Sequence, residues 1–262
     1  MQPLAAFPAE ANRKLQGLLF DLDDTLLTKG RLTREAYEAL WSLHDAGLRL
    51  VAVTGRPSGW GEVLVRQWPI DGAVTENGAV HVLRDGEGVS IRERCTSDER
   101  HNRRIRLARL VERVRGIVPE ARLTDDVAAR RSDITWDIGE RVQLPVDRVD
   151  LVAGEITASG ARTTRSSVHI HATFDEDDKA SGAVEFLART FGVDPGAALR
   201  TYGFIGDSGN DAACFAAFDA TFGVANVASY VRRLHVPPRY VTNGAMGAGF
   251  AELAKALASE RH

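Results

Sequence analysis

Asp21 and Asp23 stand two residues apart at the end of the short apolar run Gly17-Leu18-Leu19-Phe20, with Asp24 and Thr25 directly after them. A continuous apolar run of that length predicts a buried strand, and carboxylates leaving its carboxyl end sit where open α/β sheets bind ligands. Two carboxylates so close repel each other, and one pKa rises unless a cation neutralises the pair. Carboxylate oxygen is the donor that Mg2+ prefers. With the pair in one site, one group can be a nucleophile and the other an acid or base. The segment also reads as a loop or helix N-cap cluster, so alone it is only moderately specific.

Three further segments could share that chemistry. Val53-Thr54-Gly55-Arg56 closes a second apolar run and offers a hydroxyl and backbone N–H groups to a phosphate oxygen; it also reads as a turn whose threonine caps a helix. Lys179 opens a helical pattern, where an ammonium could neutralise a phosphoryl group or simply be solvated. Only four of the 33 basic residues are lysines, Lys14, Lys29, Lys179 and Lys255. A chain so biased to arginine keeps a compact point charge here, which a guanidinium fork does not replace. Gly206-Asp207-Ser208-Gly209-Asn210-Asp211 follows a strand-like run over 201–205, and its glycines allow a tight acidic loop.

The elements that must position these residues alternate. After the first strand, Leu32, Ala36, Ala39, Leu40 and Leu43 mark a helix from Thr33 as N-cap to a stop at Gly47; a strand over 48–53 and a helix over 58–68 follow. Such alternation predicts a parallel sheet with helices on both faces. The pattern changes after Thr75-Glu76-Asn77-Gly78. Helices around Leu107, Leu110, Val111 and Val114 and over 145–159 each precede two strand-like runs, 121–127 with 133–138 and 162–166 with 168–172. That is an αββαββ module, an antiparallel sheet backed by two helices. From Lys179 the alternation resumes: a helix to Phe191, strands near 201–205 and 221–224 around a helix after Asn210, then a strand over 239–242 and a helix over 248–258. The expected fold is therefore α/β, a doubly wound Rossmann-like parallel sheet over 1–81 and 175–262, interrupted by an α+β cap over 82–174.

With these four segments in this order and in these settings, the sequence resembles the haloacid dehalogenase superfamily, in the branch whose cap lies between the second and third motifs. The resemblance implies that Asp21 is nucleophile and Mg2+ ligand, and that Asp23 is the general acid/base and lends a carbonyl to the metal. It implies that Thr54, Gly55 and Lys179 hold the phosphoryl oxygens, and that Asp207 and Asp211 complete the metal site; Arg56, Asn77 and Asn210 lie close by in sequence. Asp23 also argues against dehalogenation, because a departing halide needs no proton. Asp24 stands where many relatives carry glycine. The acidic run Asp175-Glu176-Asp177-Asp178 before Lys179 is unexpected beside a dianionic substrate and reads as a solvated connection or hinge. Phosphotransfer between sugar hydroxyls, as in phosphomannomutases, shares the same covalent chemistry and stays open.

Substrate class rests on the cap. In Asp133-Ile134-Thr135-Trp136-Asp137-Ile138, period-two alternation puts the apolar residues on one face and Asp133, Thr135 and Asp137 on the other. Val168-His169-Ile170-His171-Ala172 sorts the same way. If the polar face closes over Asp21 it suits a polyhydroxylated ligand and offers a nucleobase no aromatic platform; it could equally meet water. Arg130-Arg131-Ser132-Asp133 resembles cap segments of sugar-phosphate and mannosylphosphoglycerate phosphatases, which points to Arg131, Ser132, Asp133, His169 and His171 as substrate contacts.

Composition limits the alternatives. Hydrophobic residues make up 44% of the 262 and charged residues 26%, so a folded chain is expected. The net charge of −3 offers no general attraction to nucleic acid or anionic membranes. Seven arginines between Arg100 and Arg115 could bind an acidic partner, but Glu99 and Glu112 interrupt them and no aromatic residue interleaves, so a solvated helix face is expected instead. Two cysteines, Cys95 and Cys214, suit neither a disulfide framework nor a metal site. No apolar stretch resembles a signal peptide or membrane span, and the first sixteen residues read as a short irregular start. A cytoplasmic enzyme acting on a small phosphorylated molecule is the expectation.

Overall fold

A computed structural model describes residues 1–166, 168–259 and 261. The first half of the core runs β1 (Gln2–Pro3), α1 (Ala9–Lys14), β2 (Gly17–Phe20), α2 (Arg34–Asp45), β3 (Arg49–Val53), α3 (Ser58–Gln67), β4 (Gly72–Thr75), β5 (Val80–Asp85) and β6 (Gly88–Glu93). The inserted module is α4 (Ser97–Ile117), β7 (Arg122–Leu123), β8 (Asp133–Asp137), α5 (Val146–Ala158), β9 (Arg162–Arg165) and β10 (His169–Thr173). The core then completes with α6 (Lys179–Phe191), α7 (Pro195–Thr201), β11 (Tyr202–Gly206), α8 (Ala212–Ala217), β12 (Ala220–Gly223), β13 (Tyr240–Val241) and α9 (Met246–Ala258).

The core strands form one sheet in the order β1-β13-β12-β11-β2-β3-β4-β5-β6, parallel from β1 through β4 and antiparallel at β5 and β6. Alternation along each strand divides the core into two layers. Leu18 and Phe20 of β2 pack with Leu50 and Ala52 of β3 beneath α2 and α9, as Leu40, Leu43, Phe250 and Leu253 join them. Leu19, Val51 and Val53 point the other way, onto Phe186 and Leu187 of α6 and Phe215 of α8. Both faces are covered, as a doubly wound parallel sheet requires. α2 starts where the sequence indicates: the Thr33 side chain accepts from the Ala36 N–H.

The second sheet runs β7-β8-β10-β9, all antiparallel, with α4 and α5 on one face. Ile134, Trp136, Ile138 and Ile170 pack there on Leu107, Leu110, Val149 and Val152.

Three sequence expectations need correction. The boundary at 81/82 falls inside β5, because β5 and β6 pair into the core sheet up to Glu93. The start of the chain is ordered: β1 pairs with β13, and buried Asn12 donates to the Leu257 carbonyl at the end of α9, 3.1 Å. The run expected as a strand over 121–127 pairs only at Arg122 and Leu123 before turning.

Arg106, Arg109, Arg113 and Arg115 of α4 stay exposed, as a solvated face requires, but several arginines of this region are also tied into the fold. Arg100 and Arg103 both pair with Asp175, Arg113 with Glu155, and Arg104 donates to the Asp133 carbonyl. Arg94 pairs with Asp177. The acidic run is thus a connection pinned by these arginines, ending in Asp178, which caps α6.

Candidate active site

β2 lies between β11 and β3, so its end is the middle of the sheet edge. There the Asp21 N–H still bonds the Ile205 carbonyl, 3.0 Å, before residues 22–26 form a wide turn closed by Leu27 N–H on the Leu22 carbonyl. Asp24 occupies the left-handed region at φ 56° inside that turn, a conformation that glycine adopts without strain and that aspartate tolerates better than most residues.

Lys179 is no surface lysine. It is the first residue of α6, its side chain is fully buried, and its Nζ donates to Asp21 Oδ1 at 2.6 Å and to Asp211 Oδ1 at 2.7 Å. Two glycines make that insertion possible. A Cβ on Gly182 would collide with the Gly78 backbone, and one on Gly78, at φ +113°, with the Asp178 carbonyl. Because α6 can press against that loop, its first residue reaches the sheet edge.

Gly206 has a similar role after β11. A Cβ there would strike the Asp211 carboxylate, whose Oδ2 instead folds back to accept the N–H groups of Asp207 and Ser208. Carboxylate oxygens of Asp21, Asp207 and Asp211 all lie within 4.8 Å of one another, and all three residues are buried. Burial, then neighbouring carboxylates, pushes the Asp21 pKa up to about 7 despite Lys179, and that of Asp207 up to about 9. Three buried carboxylates against one ammonium leave the site short of positive charge. Oxygen-only donors in that deficit fit a hard divalent cation such as Mg2+. The Asp23 side chain is outside this trio: Arg56 holds it through Nε at 2.8 Å and Nη2 at 2.7 Å.

Thr54 is fully buried at the end of β3, and its hydroxyl oxygen accepts from the Arg56 N–H, which leaves the hydroxyl proton to donate elsewhere. Gly55 carries no side chain where Asn77 and His171 close in from core and cap. Arg56 also stacks on Trp60, 4.7 Å from the ring centroid, and reaches Glu140 of the cap at 3.3 Å. Asn210 accepts from the Ser208 hydroxyl and faces the gap below the cap.

The polar face of the cap sheet lies over this edge. His169, His171, Asp133, Thr135 and Asp137 are all buried. Burial alone would raise the Asp133 pKa, but Arg130 and His171 outweigh it and hold it at about 2. His171 shares its Nδ1 between Asp133 and Thr135, 2.9 Å each, and burial lowers its pKa, so the ring is neutral. His169 Nε2 meets Glu140 at 2.8 Å. The gap among Asp21, Gly55, His171 and Ser208 is about 10 Å3, whereas a cavity of about 280 Å3 opens beside Asp23, bordered by Lys29, Arg56 and Glu140. Arg131 and Ser132 are not brought to either space. The Arg131 side chain points toward Glu93, and the backbone N–H groups of both residues bond Glu76.

Three residues at the site gave no sequence signal. Asn226 donates to Asp207 Oδ2 and to the Asp24 carbonyl, 3.0 Å each, and its Oδ1 accepts from the Met246 N–H, so it joins the two acidic loops to α9. It follows β12, another parallel strand of the same edge, which was the available clue. Glu76 and Glu140 matter through partners distant in sequence: Glu76 through Ser132 across the core–cap boundary, and Glu140 through His169 within the cap and Arg56 of the core.

The family model described as haloacid dehalogenase-like hydrolase matches residues 18–103. No curated protein matches the sequence. Among solved structures, a Thermoplasma acidophilum protein is 20% identical with a TM-score of 0.71, over 93% of this chain and 98% of that one. The C-terminal domain of a C. albicans trehalose-6-phosphate phosphatase is 13% identical at 0.69, over 96% and 95%. A Synechocystis sucrose-phosphatase, solved with sucrose and phosphate, is 16% identical at 0.64, over 93% and 98%. At such identities the likeness is one of fold. The chain thus matches the haloacid dehalogenase-like hydrolase family over residues 18–103, which contain the first two motifs, and all four motifs meet at one sheet edge of the fold it shares with these structures.

Proposed function

We propose that this hydrolase is a Mg2+-dependent phosphatase that removes the phosphoryl group of a small polyhydroxylated metabolite, such as a sugar phosphate or sugar-phosphoglycerate, by way of a phosphoryl group carried on Asp21. The observation that carries the reading is the buried contact of Lys179 with both Asp21 and Asp211, beside Asp207. A nucleophilic carboxylate and a phosphate dianion repel each other, and positive charge fixed at the reacting centre offsets this. Asp21, Asp207 and Asp211 would hold Mg2+, which supplies charge to the phosphoryl oxygens when bound.

An Asp21 oxygen bonds to phosphorus as the bond to the substrate oxygen breaks, and Asp23 gives that oxygen its proton. Asp23 then takes a proton from the water that attacks phosphorus, which frees Asp21 and releases phosphate. Both Asp23 oxygens are engaged by Arg56, so the guanidinium must yield as the leaving group enters. The Thr54 hydroxyl and the N–H groups around Gly55 would hold phosphoryl oxygens. The cavity beside Asp23 would take the leaving group, with Asp23, Asp24, Lys29, Arg56 and Glu140 to meet its hydroxyls and Val168 and Met246 its apolar edge.

A screen of phosphorylated metabolites with Mg2+ and with a chelator tests this. Sugar phosphates should be hydrolysed with higher kcat/KM than nucleotides, free phosphate should accumulate linearly, and the chelator should stop it. A nucleotide preference would remove the substrate class. Transfer of the phosphoryl group to a second sugar hydroxyl, without free phosphate, would replace hydrolysis by the mutase reaction.

A further inference from the structure

We propose that Glu76 is the latch that holds the cap down on the core, and a positioning residue for the cap's half of the site. Its carboxylate belongs to the core loop after β4, yet of its five donors all but the Ser58 N–H come from one segment of the cap: Arg131 N–H at 2.9 Å, Ser132 N–H at 2.5 Å, Ser132 Oγ at 2.9 Å and Asp133 N–H at 3.4 Å. Successive N–H groups converging on one carboxylate form an anion-binding concavity, and the core provides the anion. Charge-assisted bonds of this kind are about twice as strong as neutral ones.

The cap must let go for the site to work. The gap of about 10 Å3 between Asp21 and His171 is too small for a phosphoryl group, so substrate enters only when the cap lifts. Elsewhere the contact is made by Gly59 against Ala129, Ser58 Oγ on the Ala129 carbonyl at 3.2 Å, and Arg56 with Glu140 at 3.3 Å. Arg130 adds one bond, to the Gly55 carbonyl at 3.0 Å. Glu76 gathers more of the cap than any of these.

Glu76 also reads the phosphate-binding turn. Its N–H bonds the Arg56 carbonyl and the next N–H, of Asn77, bonds the Thr54 carbonyl, 3.0 Å each. On the cap side, residues 131–133 lead straight into β8, whose Asp133 and Thr135 hold His171. One side chain therefore sets the height of the cap histidines over the turn that would take the phosphoryl group. Glu76, with Asn77, lies in the left-handed region at φ 51°, a strained backbone in a loop that this contact helps to fix.

Hydrogen exchange on the full chain, read by mass spectrometry, tests the latch without reference to turnover, so its result is independent of the phosphatase reading. Glu76→Gln puts an amide donor among donors. A peptide over 130–134 should exchange at least about tenfold faster, while peptides over β2 and β3 keep their protection. The positioning role is read from the imidazole proton resonance of His171, which should move in Glu76→Gln while that of His81, buried in the core beside Phe186, stays in place. Unchanged protection at 130–134 would overturn the latch, and an unmoved His171 resonance the positioning role. If Glu76→Gln does not fold, Ser132→Ala removes one of the same bonds, and the same two readings apply to it.

Discussion

The pocket around Lys179 Nζ is built for a point charge. Two carboxylates approach it at 2.6 and 2.7 Å with no exposed surface, and a guanidinium is both larger and planar. Lys179→Arg is therefore expected to lose kcat/KM nearly as fully as Lys179→Ala, about a hundredfold or more in each case; steady-state assays with one phosphorylated sugar check it, and full activity of the arginine variant would remove Lys179 from the phosphoryl site. Asp24 gives the opposite kind of test. Its left-handed φ costs a side chain about 1–2 kcal/mol, less for aspartate, and its carbonyl rather than its carboxylate bonds Asn226. Asp24→Gly should keep turnover and raise Tm by about 2–4 °C; a fall in Tm would mean that the carboxylate's own interactions outweigh the strain.

At the scale of elements, α6 is placed by glycine as much as by its apolar face. Gly182→Ala puts a methyl group into the Gly78 backbone, where neither side can yield cheaply, so α6 must back away and withdraw Lys179. A destabilisation of about 1–3 kcal/mol is expected, with at least a tenfold drop in kcat/KM. Gly154→Ala is the control: that position in α5 has open space and should be neutral or slightly stabilising in the same melts and assays. The carboxylates on the two loops that end β2 and β11 respond to pH together. Asp21 and Asp207 have folded pKa values raised to about 7 and about 9, so their contribution to stability is full below their ordinary range near 3.8 and is lost as pH rises through 7 and 9. A divalent cation has fewer protons to displace at the upper end. In chelator, Tm should fall between pH 6 and 9, and the rise caused by Mg2+ should be larger at pH 8.5 than at pH 6; an equal or smaller rise at pH 8.5 would contradict the carboxylate site.

For the molecule as a whole, what the sequence made legible and what it did not differ by the range of the interactions involved. Leu18, Leu19 and Phe20 announce a two-sided strand because both neighbours in the chain and both faces are apolar. Thr33 announces a helix start because capping is local. The split of Ile134, Trp136 and Ile138 from Asp133, Thr135 and Asp137 follows from the pleat alone. By contrast, whether residues 80–93 belong to core or cap is decided by the partner of β5, which no local pattern names. Two-residue β1 has no period to detect. The resemblance of the segment 130–133 to cap segments of sugar-phosphate phosphatases points to Arg131 and Ser132 as ligand contacts, and Glu76, fifty-five or more residues away, takes their backbone donors instead. Of the seven crowded arginines, Arg106, Arg109, Arg113 and Arg115 keep the exposed face the pattern suggests, while Asp175 takes Arg100 and Arg103 from some seventy residues away.

All of this chemistry depends on one carboxylate at the end of β2. The direct test is phosphate release from a phosphorylated sugar by wild type and by Asp21→Asn, with circular dichroism showing that both are folded and Mg2+ present throughout. An amide is a poor nucleophile and a poor metal ligand, so release should fall by at least about a thousandfold. Wild-type turnover by a folded Asp21→Asn protein would contradict the covalent mechanism at its first step.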